Sequence, residues 1–356
     1  MGSIALLALL AWQMPDFDPS KLIPEWTSAT PLWLGGSMLT LLAAFALQTL
    51  RWSQVLTALG HRVPFRRLFN QFLAGQFVSN VLPTAFAGDV VRIARCGRDI
   101  DDRAHAFASI ALERLTGWLV LPAISLTALA FAPELRSLGG ETVTVLVIDL
   151  GTALGLVVLL AVAANRRWST AARTAKGWRR WIGSVHLGVD ALRTQPTLAL
   201  ATVGVGIAFQ VTQCVSVWLA ARALGLDVIT LLAVFAFFPP TAIGQNLPVG
   251  FGGLGVREGA FVVFFGAIGA GEERAIALGL VTYIIMVVTS SLGAPSFALG
   301  GGRKALAADV AEEEAAERAE AAAALADEAA TARASGTRAG VGVTTGDDIA
   351  SGPGAP

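Results

Sequence analysis

The chain has 356 residues, 54% of them hydrophobic and 15% charged, with a mean hydropathy of +0.63. Soluble domains carry about a quarter charged residues, so this composition excludes an ordinary soluble protein and predicts an integral membrane one. The net charge of zero divides into −5 from Arg303 onward (5 Lys/Arg, 10 Asp/Glu) and +5 before it (21 and 16), which argues against a nucleic-acid partner and for inner loops facing anionic lipid.

The opening run, MGSIALLALLAW, is apolar but about half the ~20 residues a spanning helix needs. It has no basic n-region and no small-residue cleavage site, so it reads as the end of a first transmembrane helix rather than a signal peptide. Pro15 to Pro31, with four prolines, is a loop. Leu32–Leu50 is a spanning helix expected to end on Arg51 and Trp52, an interfacial anchor pair. Arg51, Arg62, Arg66 and Arg67 follow without an acid, an inner-side signature. Leu68–Leu82 is apolar but too short to cross and is broken by Pro83. Arg92, Arg95, Arg98 and Arg103 then return the chain to the same side. This pattern predicts a re-entrant element, which survives at membrane depth only when surrounded by protein or a water-filled cavity.

Ala104–Phe131 spans outward, Ala132–Glu141 is an outer loop, and Thr142–Ala164 spans back. Asn165 to Pro196 carries seven Lys/Arg against one Asp, together with Trp168, Trp178 and Trp181. It is the strongest positive-inside signal in the chain and reads as a surface-lying cytoplasmic segment on anionic lipid. Thr197–Ala223 spans outward. Ile229–Leu247 is a second short apolar run, expected to stop at Pro239, Pro240 and Pro248. Val256–Ala270 is a short helix, and Ala275–Leu299 returns inward to Arg303 and Lys304. Beyond it lies an acidic tail (301–356), with a solvated helix expected over Ala305–Ala334, an unstructured end after it, and a cytoplasmic location.

LPTAFAGDVVR (82–92) and LPVGFGGLGVR (247–257) share six identities in eleven positions at an offset of 165 residues. The identities are Leu82/Leu247, Pro83/Pro248, Phe86/Phe251, Gly88/Gly253, Val91/Val256 and Arg92/Arg257. The spans follow the same offset, which divides a membrane domain (1–300) into halves of about 1–135 and 140–300. Each half has an odd number of spans, so the second is inserted upside down. The predicted fold is therefore all-α and integral to the membrane: an inverted repeat of transmembrane helices with two re-entrant elements meeting near the midplane, an arrangement known from transporters.

The repeat also selects candidate binding residues. Pro83 and Pro248 break the two short runs, and Gly88 and Gly253 allow close approach of a ligand to backbone N–H groups. Asp89 and Arg92 share a face of a helix starting near Ala87. They read either as a dipole-complementing acid with a snorkelling arginine, or as a headgroup site in which Arg92 meets a lipid phosphate. Arg257, beside Glu258, recurs at the matching place. Asn80 and Gln245 also align and could satisfy the exposed backbone of each break or contact a ligand. Glu113 and Arg114 lie about three turns into a span, where each charge costs on the order of 2.5–3.5 kcal/mol. They read as an ion pair with Asp89 or Arg92, or as part of a translocation path. Asp149, Gln210 and Gln213 are weaker candidates of the same kind, and Tyr283 reads equally as interfacial packing.

Asp99-Ile100-Asp101-Asp102 superficially matches an acidic metal motif, but a helix opening at Asp102 explains it better. His61, His105 and His186 have no ligand-like spacing, and Cys96 and Cys214 form no CxxC, so no metal, cofactor or disulfide is expected. No catalytic constellation and no ATP motif is present, which leaves a gradient or mass action as the driving force for any transport.

RWSQVLTALG (51–60), GQFVSNVLPTAFAGDVVR (75–92), ALERLTGWLV (111–120) and LPVGFGGLGVREGA (247–260) together resemble the lysylphosphatidylglycerol synthase/flippase transmembrane family, over about Leu32 to Leu299. The resemblance implies a flippase-like module in the bacterial cytoplasmic membrane whose ligand is a membrane lipid. In the best understood members a soluble C-terminal domain makes the aminoacylated lipid. Here an acidic tail follows Leu299, so no synthase activity is expected. The reading is a lipid flippase for an anionic or aminoacylated phospholipid or a polyprenyl-phosphate-linked lipid. The alternatives are a membrane subunit of a glycosyltransferase or lipid-modifying enzyme, and an assembly partner of an envelope-biosynthesis enzyme.

Overall fold

The computed structural model describes residues 26–81, 87–164, 189–191, 193–245 and 255–299. The expectations for the first apolar stretch, the basic loop (165–188), Pro83, Pro248, Gly253 and the acidic tail lie outside them.

The described chain is helical throughout. α1 (Thr30–Ala58) leads into α2 (Phe65–Val81), α3 (Ala87–Ile100) and α4 (Arg103–Phe131). One turn at Pro133–Arg136 precedes α5 (Gly140–Ala164), followed by α6 (Pro196–Ala223), α7 (Leu231–Gln245), α8 (Val256–Ala267) and α9 (Glu272–Ser290). A 3-10 turn, Ser291–Gly293, then leads into the short α10 (Ala294–Leu299). Among the described residues, five helical stretches are long and apolar enough to cross a membrane: α1, α4, α5, α6 and the continuous Glu272–Ala298 stretch. The protein is an all-α integral membrane protein.

Two expectations about helix ends are corrected. α1 does not stop at Arg51 and Trp52; it runs to Ala58, and both residues are buried inside it. Trp52, Val55 and Leu56 keep the helical spacing of apolar groups beyond the arginine. The real stop is Gly60, at a positive φ of 88°. There the His61 N–H reaches the Leu56 carbonyl (2.9 Å) and the Gly60 N–H the Thr57 carbonyl (3.0 Å), a Schellman cap. The same device closes α6 at Gly225, exactly 165 residues later in the sequence, with Leu226 N–H on Ala221 (3.0 Å). α3 ends in the same way with Asp101 as the left-handed residue (φ 54°) and the Asp102 N–H on the Gly97 carbonyl (3.0 Å).

The second correction concerns Pro239 and Pro240, which do not stop α7 but lie inside it. Pro240 has no N–H for the Ala236 carbonyl four residues back. The Ser125 hydroxyl of α4 donates to that carbonyl instead (2.6 Å), so the break is repaired across a helix interface.

α2 and α3 form an antiparallel helical hairpin. Gly88 N–H donates to Ser79 Oγ (3.1 Å) near its closed end, and Asp99 accepts from Arg67 (2.6 Å) and Gln71 (2.7 Å) near its open end. Gly75 and Gly88 touch backbone to backbone, so a Cβ on either would overlap the other's carbonyl oxygen. α7 and α8 make a second antiparallel hairpin, welded by Phe237 stacked on Phe264 (5.4 Å) and Phe238 against Phe261 (6.5 Å). The most extensive helix interface is that of α1 with α6. These helices run antiparallel: Gly36 faces Leu219 at one end and Gly206 faces Arg51 at the other. Between them Ser37 and Ser216 exchange hydrogen bonds reciprocally, each hydroxyl donating to the other's carbonyl (2.8 and 2.9 Å). On the outside α5 leaves Val147, Leu154 and Val158 exposed, apolar groups that meet lipid in a membrane.

Candidate functional site

A partly open cavity of about 250 Å³ lies among α1, α2, α3, α4, α6, α7 and α9. Its charges come from α1, α3 and α4. Glu113, 1% exposed, accepts from Gln48 and is ion-paired with Arg92. Arg51, 2% exposed, lies 4.0 Å from the Glu113 carboxylate and donates to the Glu113 backbone carbonyl (2.9 Å). Asp89 is paired with Arg114 and, at 3.5 Å, with Arg92. The order Arg51–Glu113–Arg92–Asp89–Arg114 thus alternates in sign and holds one more cation than anion.

Aromatic faces support the central cation. The Arg92 guanidinium sits 4.3 Å from the Trp52 ring centroid and 5.0 Å from that of Phe72. Trp52 is fixed in turn by its indole N–H on Ser109 Oγ (3.0 Å). A desolvated guanidinium held between ring faces and carboxylates stays ordered without water. Arg114 differs from its neighbours: its side chain is 27% exposed, the most open member of the chain of charges.

Polar capacity is left over. Arg51 Nε and Nη1, Arg92 Nε and Gln245 Nε2 are buried donors without a hydrogen-bond partner among the described residues, as are the acceptors Gln48 Oε1 and Gln210 Oε1. All belong to residues that line the cavity. Buried polar groups are ordinarily paired, and a surplus of donors beside a surplus of positive charge suits an anionic ligand. The lining is unequal on the two sides of residue 135. Arg51, Asp89, Arg92, Glu113 and Arg114 all precede residue 135, whereas the polar lining from the second half is the neutral amides Gln210, Gln213 and Gln245.

Of the residues singled out in the sequence, Asn80, Gly88, Asp89, Arg92, Glu113, Arg114 and Gln245 come together around this cavity, joined by Gln210 and Gln213. Arg257 and Glu258 do not line it. Glu258 is fully buried and caps α8 by accepting the Gly255 N–H (2.5 Å). Arg257 lies 5.4 Å from the Tyr283 ring centroid, and the Tyr283 hydroxyl donates to the Asn80 carbonyl (3.0 Å). Asn80 also donates to Ser290 Oγ (2.9 Å), a link between α2 and α9. Asp149 is fully buried away from the cavity lining, and neither of its carboxyl oxygens has a hydrogen-bond partner among the described residues. Gln48, Arg51 and Trp52 were not foreseen as site residues. The signal was the i, i+3 spacing of Gln48 and Arg51 inside an apolar periodicity that continues past them.

The profile of the family described as Lysylphosphatidylglycerol synthase TM region matches residues 1–293. Among curated proteins, the chain is 24% identical over 314 residues to a UPF0104 membrane protein of Methanothermobacter thermautotrophicus, covering 80% of this chain and 89% of that protein. It is 25% identical over 305 residues to the glycosyltransferase AglD of Haloferax volcanii, covering 75% of this chain and 48% of AglD.

Proposed function

The chain belongs to the lysylphosphatidylglycerol synthase TM region family, and from that premise we propose that it is a lipid translocator whose cavity takes a phosphate-ester headgroup. The observation that carries the reading is the buried alternating charge chain, with one surplus cation and unpaired arginine donors, lining an open cavity. A cavity of about 250 Å³ lies just below the ~300–1,000 Å³ of pockets that enclose whole drug-sized ligands. It suits a headgroup whose acyl or prenyl chains stay in the bilayer. Arg92 and Arg114 would neutralise the phosphate, while Asp89 and Glu113 hold the arginines in place and balance their charge. An anionic or aminoacylated phospholipid and a polyprenyl-phosphate-linked lipid share this chemistry.

The inverted-repeat reading is supported by three features: equivalent helices α1 and α6 run antiparallel, Schellman caps recur at the 165-residue offset, and each half contains a short helical hairpin. The hairpins suit re-entrant elements that line a path without crossing the membrane. The positive-inside pattern supports a cytoplasmic location for the basic loop and the tail.

Leaflet exposure of a fluorescent anionic phospholipid in proteoliposomes tests the function. Arg92→Ala and Arg114→Ala are expected to reduce translocation about tenfold or more, while Arg67→Ala on the outer face of α2 leaves it unchanged. Equal rates in all variants would refute the site. The resemblance to AglD favours a second reading, a membrane subunit acting on a lipid-linked sugar. Product formed from a lipid phosphate and a sugar donor, without translocation, would support it instead.

A further inference from the structure

A second cluster lies at the ends of two spans, where the end of α1 meets the start of α4. His61, Asp102 and His105 each bring one ligand atom to within 4.8 Å of the other two. The His61 and His105 rings stand edge to face with centroids 5.1 Å apart, and the His105 Nδ1 to Asp102 Oδ2 distance is 2.5 Å. Residues 61 and 105 are distant in sequence, so spacing alone gives no hint of the group.

The three positions are fixed by backbone features that owe nothing to a ligand. His61 is the residue immediately after the left-handed Gly60, its N–H locked to the Leu56 carbonyl (2.9 Å). Asp102 occupies the same place after α3, its N–H locked to the Gly97 carbonyl (3.0 Å), and at the same time it caps α4 through Oδ1 on the His105 N–H (2.9 Å). His105 lies in the first turn of α4, three residues on from that cap. Two Schellman turns and one N-cap therefore hold two imidazoles and a carboxylate together.

We infer that His61, Asp102 and His105 form a binding site for a divalent transition ion of the zinc type. Bonds of about 2.0–2.2 Å to nitrogen and oxygen put ligand atoms about 3.3 Å apart, so the group must close by side-chain rotation without moving a helix. Two imidazoles and one carboxylate suit Zn²⁺ and similar ions and do not suit Mg²⁺ or Ca²⁺, which take oxygen ligands. Three protein ligands leave a position for water. All three side chains are partly exposed, so the ion has access from the aqueous side. A bound ion would clasp the end of α1 to the start of α4, the two helices that carry Arg51 and Glu113.

The test uses the full chain without a histidine tag, in detergent and stripped by chelator. Zn²⁺ is titrated in competition with a chromophoric chelator, and Co²⁺ absorption reports the ligand geometry. One ion per chain is expected. His61→Ala and His105→Ala should each weaken binding about tenfold or more. His186→Ala, which alters the remaining histidine of the sequence, should leave it unchanged. Asp102→Asn separates ligation from capping, because asparagine caps a helix as well as aspartate does. It should weaken Zn²⁺ binding while the metal-free melting temperature stays near that of the unaltered chain. Absence of stoichiometric binding, or equal binding in the His61, His105 and His186 variants, overturns the proposal.

Discussion

Glu113 of α4 joins residues of α1 and α3 at the centre of the candidate site. Its carboxylate faces Gln48 and two arginines from an almost fully buried position. Removing one partner from a buried charge pair leaves the others uncompensated, which typically costs about 3–5 kcal/mol. Glu113→Ala is therefore expected to unfold at a markedly lower temperature in detergent. Glu113→Gln, which keeps hydrogen-bonding capacity, should lose less. The double variant Arg92→Met/Glu113→Met should lose less than the sum of its single changes, since it removes both charges. Additive losses would mean that the two side chains do not interact. The sequence marks Glu113 and Arg114 because charge at membrane depth is expensive, and Asp89 and Arg92 because they share a helix face in the repeated motif. It offers an ion pair with Asp89 or Arg92 as one reading but does not say which acid meets which arginine; the packing of α3 on α4 puts Arg92 on Glu113 and Arg114 on Asp89. Arg51 escaped notice for the opposite reason: an arginine after nineteen mostly apolar residues looks like an end, and only packing shows it to be an interior.

α7 contains two consecutive prolines and remains a helix because a neighbour supplies what it lacks. Ser125 Oγ donates to the carbonyl that Pro240 cannot serve. Ser125→Ala should leave a buried acceptor unpaired and cost about 1–3 kcal/mol, whereas Ser125→Thr, keeping the hydroxyl, should cost less. Thermal unfolding compares them, and an Ala variant as stable as the unaltered chain would show that the carbonyl finds another partner. Reading a proline pair as a stop was reasonable locally, since the compensating hydroxyl lies 111 residues away in the chain. Among the described residues the longer helices were legible: α3 begins at Ala87, where the sequence places it, and the short apolar runs form α2 and α7, both shorter than a span. Their ends were less legible where a side chain from elsewhere completes them.

At the offset read from eleven residues, the ranges of α1, α2, α3 and α4 fall in order on those of α6, α7, α8 and α9, in line with the proposed repeat. The reciprocal Ser37–Ser216 contact sits between α1 and α6, the seam of the proposed repeat, its hydroxyl oxygens 3.0 Å apart. Ser37→Cys/Ser216→Cys is therefore expected to oxidise to a disulfide. If the halves rock at this seam, the crosslink should stop translocation, and reduction should restore it. Full activity in the crosslinked protein would put the moving surface elsewhere. The 165-residue period was plain in the sequence, but the unequal chemistry of the two halves was not, because Arg92 and Arg257 share a motif position and only Arg92 lines the cavity.

That inequality has an electrical consequence. If the proposed translocation shifts the two halves of the repeat against each other, fixed charges on one side of the cavity, opposite neutral amides on the other, would sweep through part of the membrane field. A full crossing of the field by one elementary charge changes the energy by about 2.3 kcal/mol per 100 mV. Even a fractional displacement should make turnover depend on voltage, and a potassium-diffusion potential imposed on proteoliposomes should speed translocation at one polarity and slow it at the other.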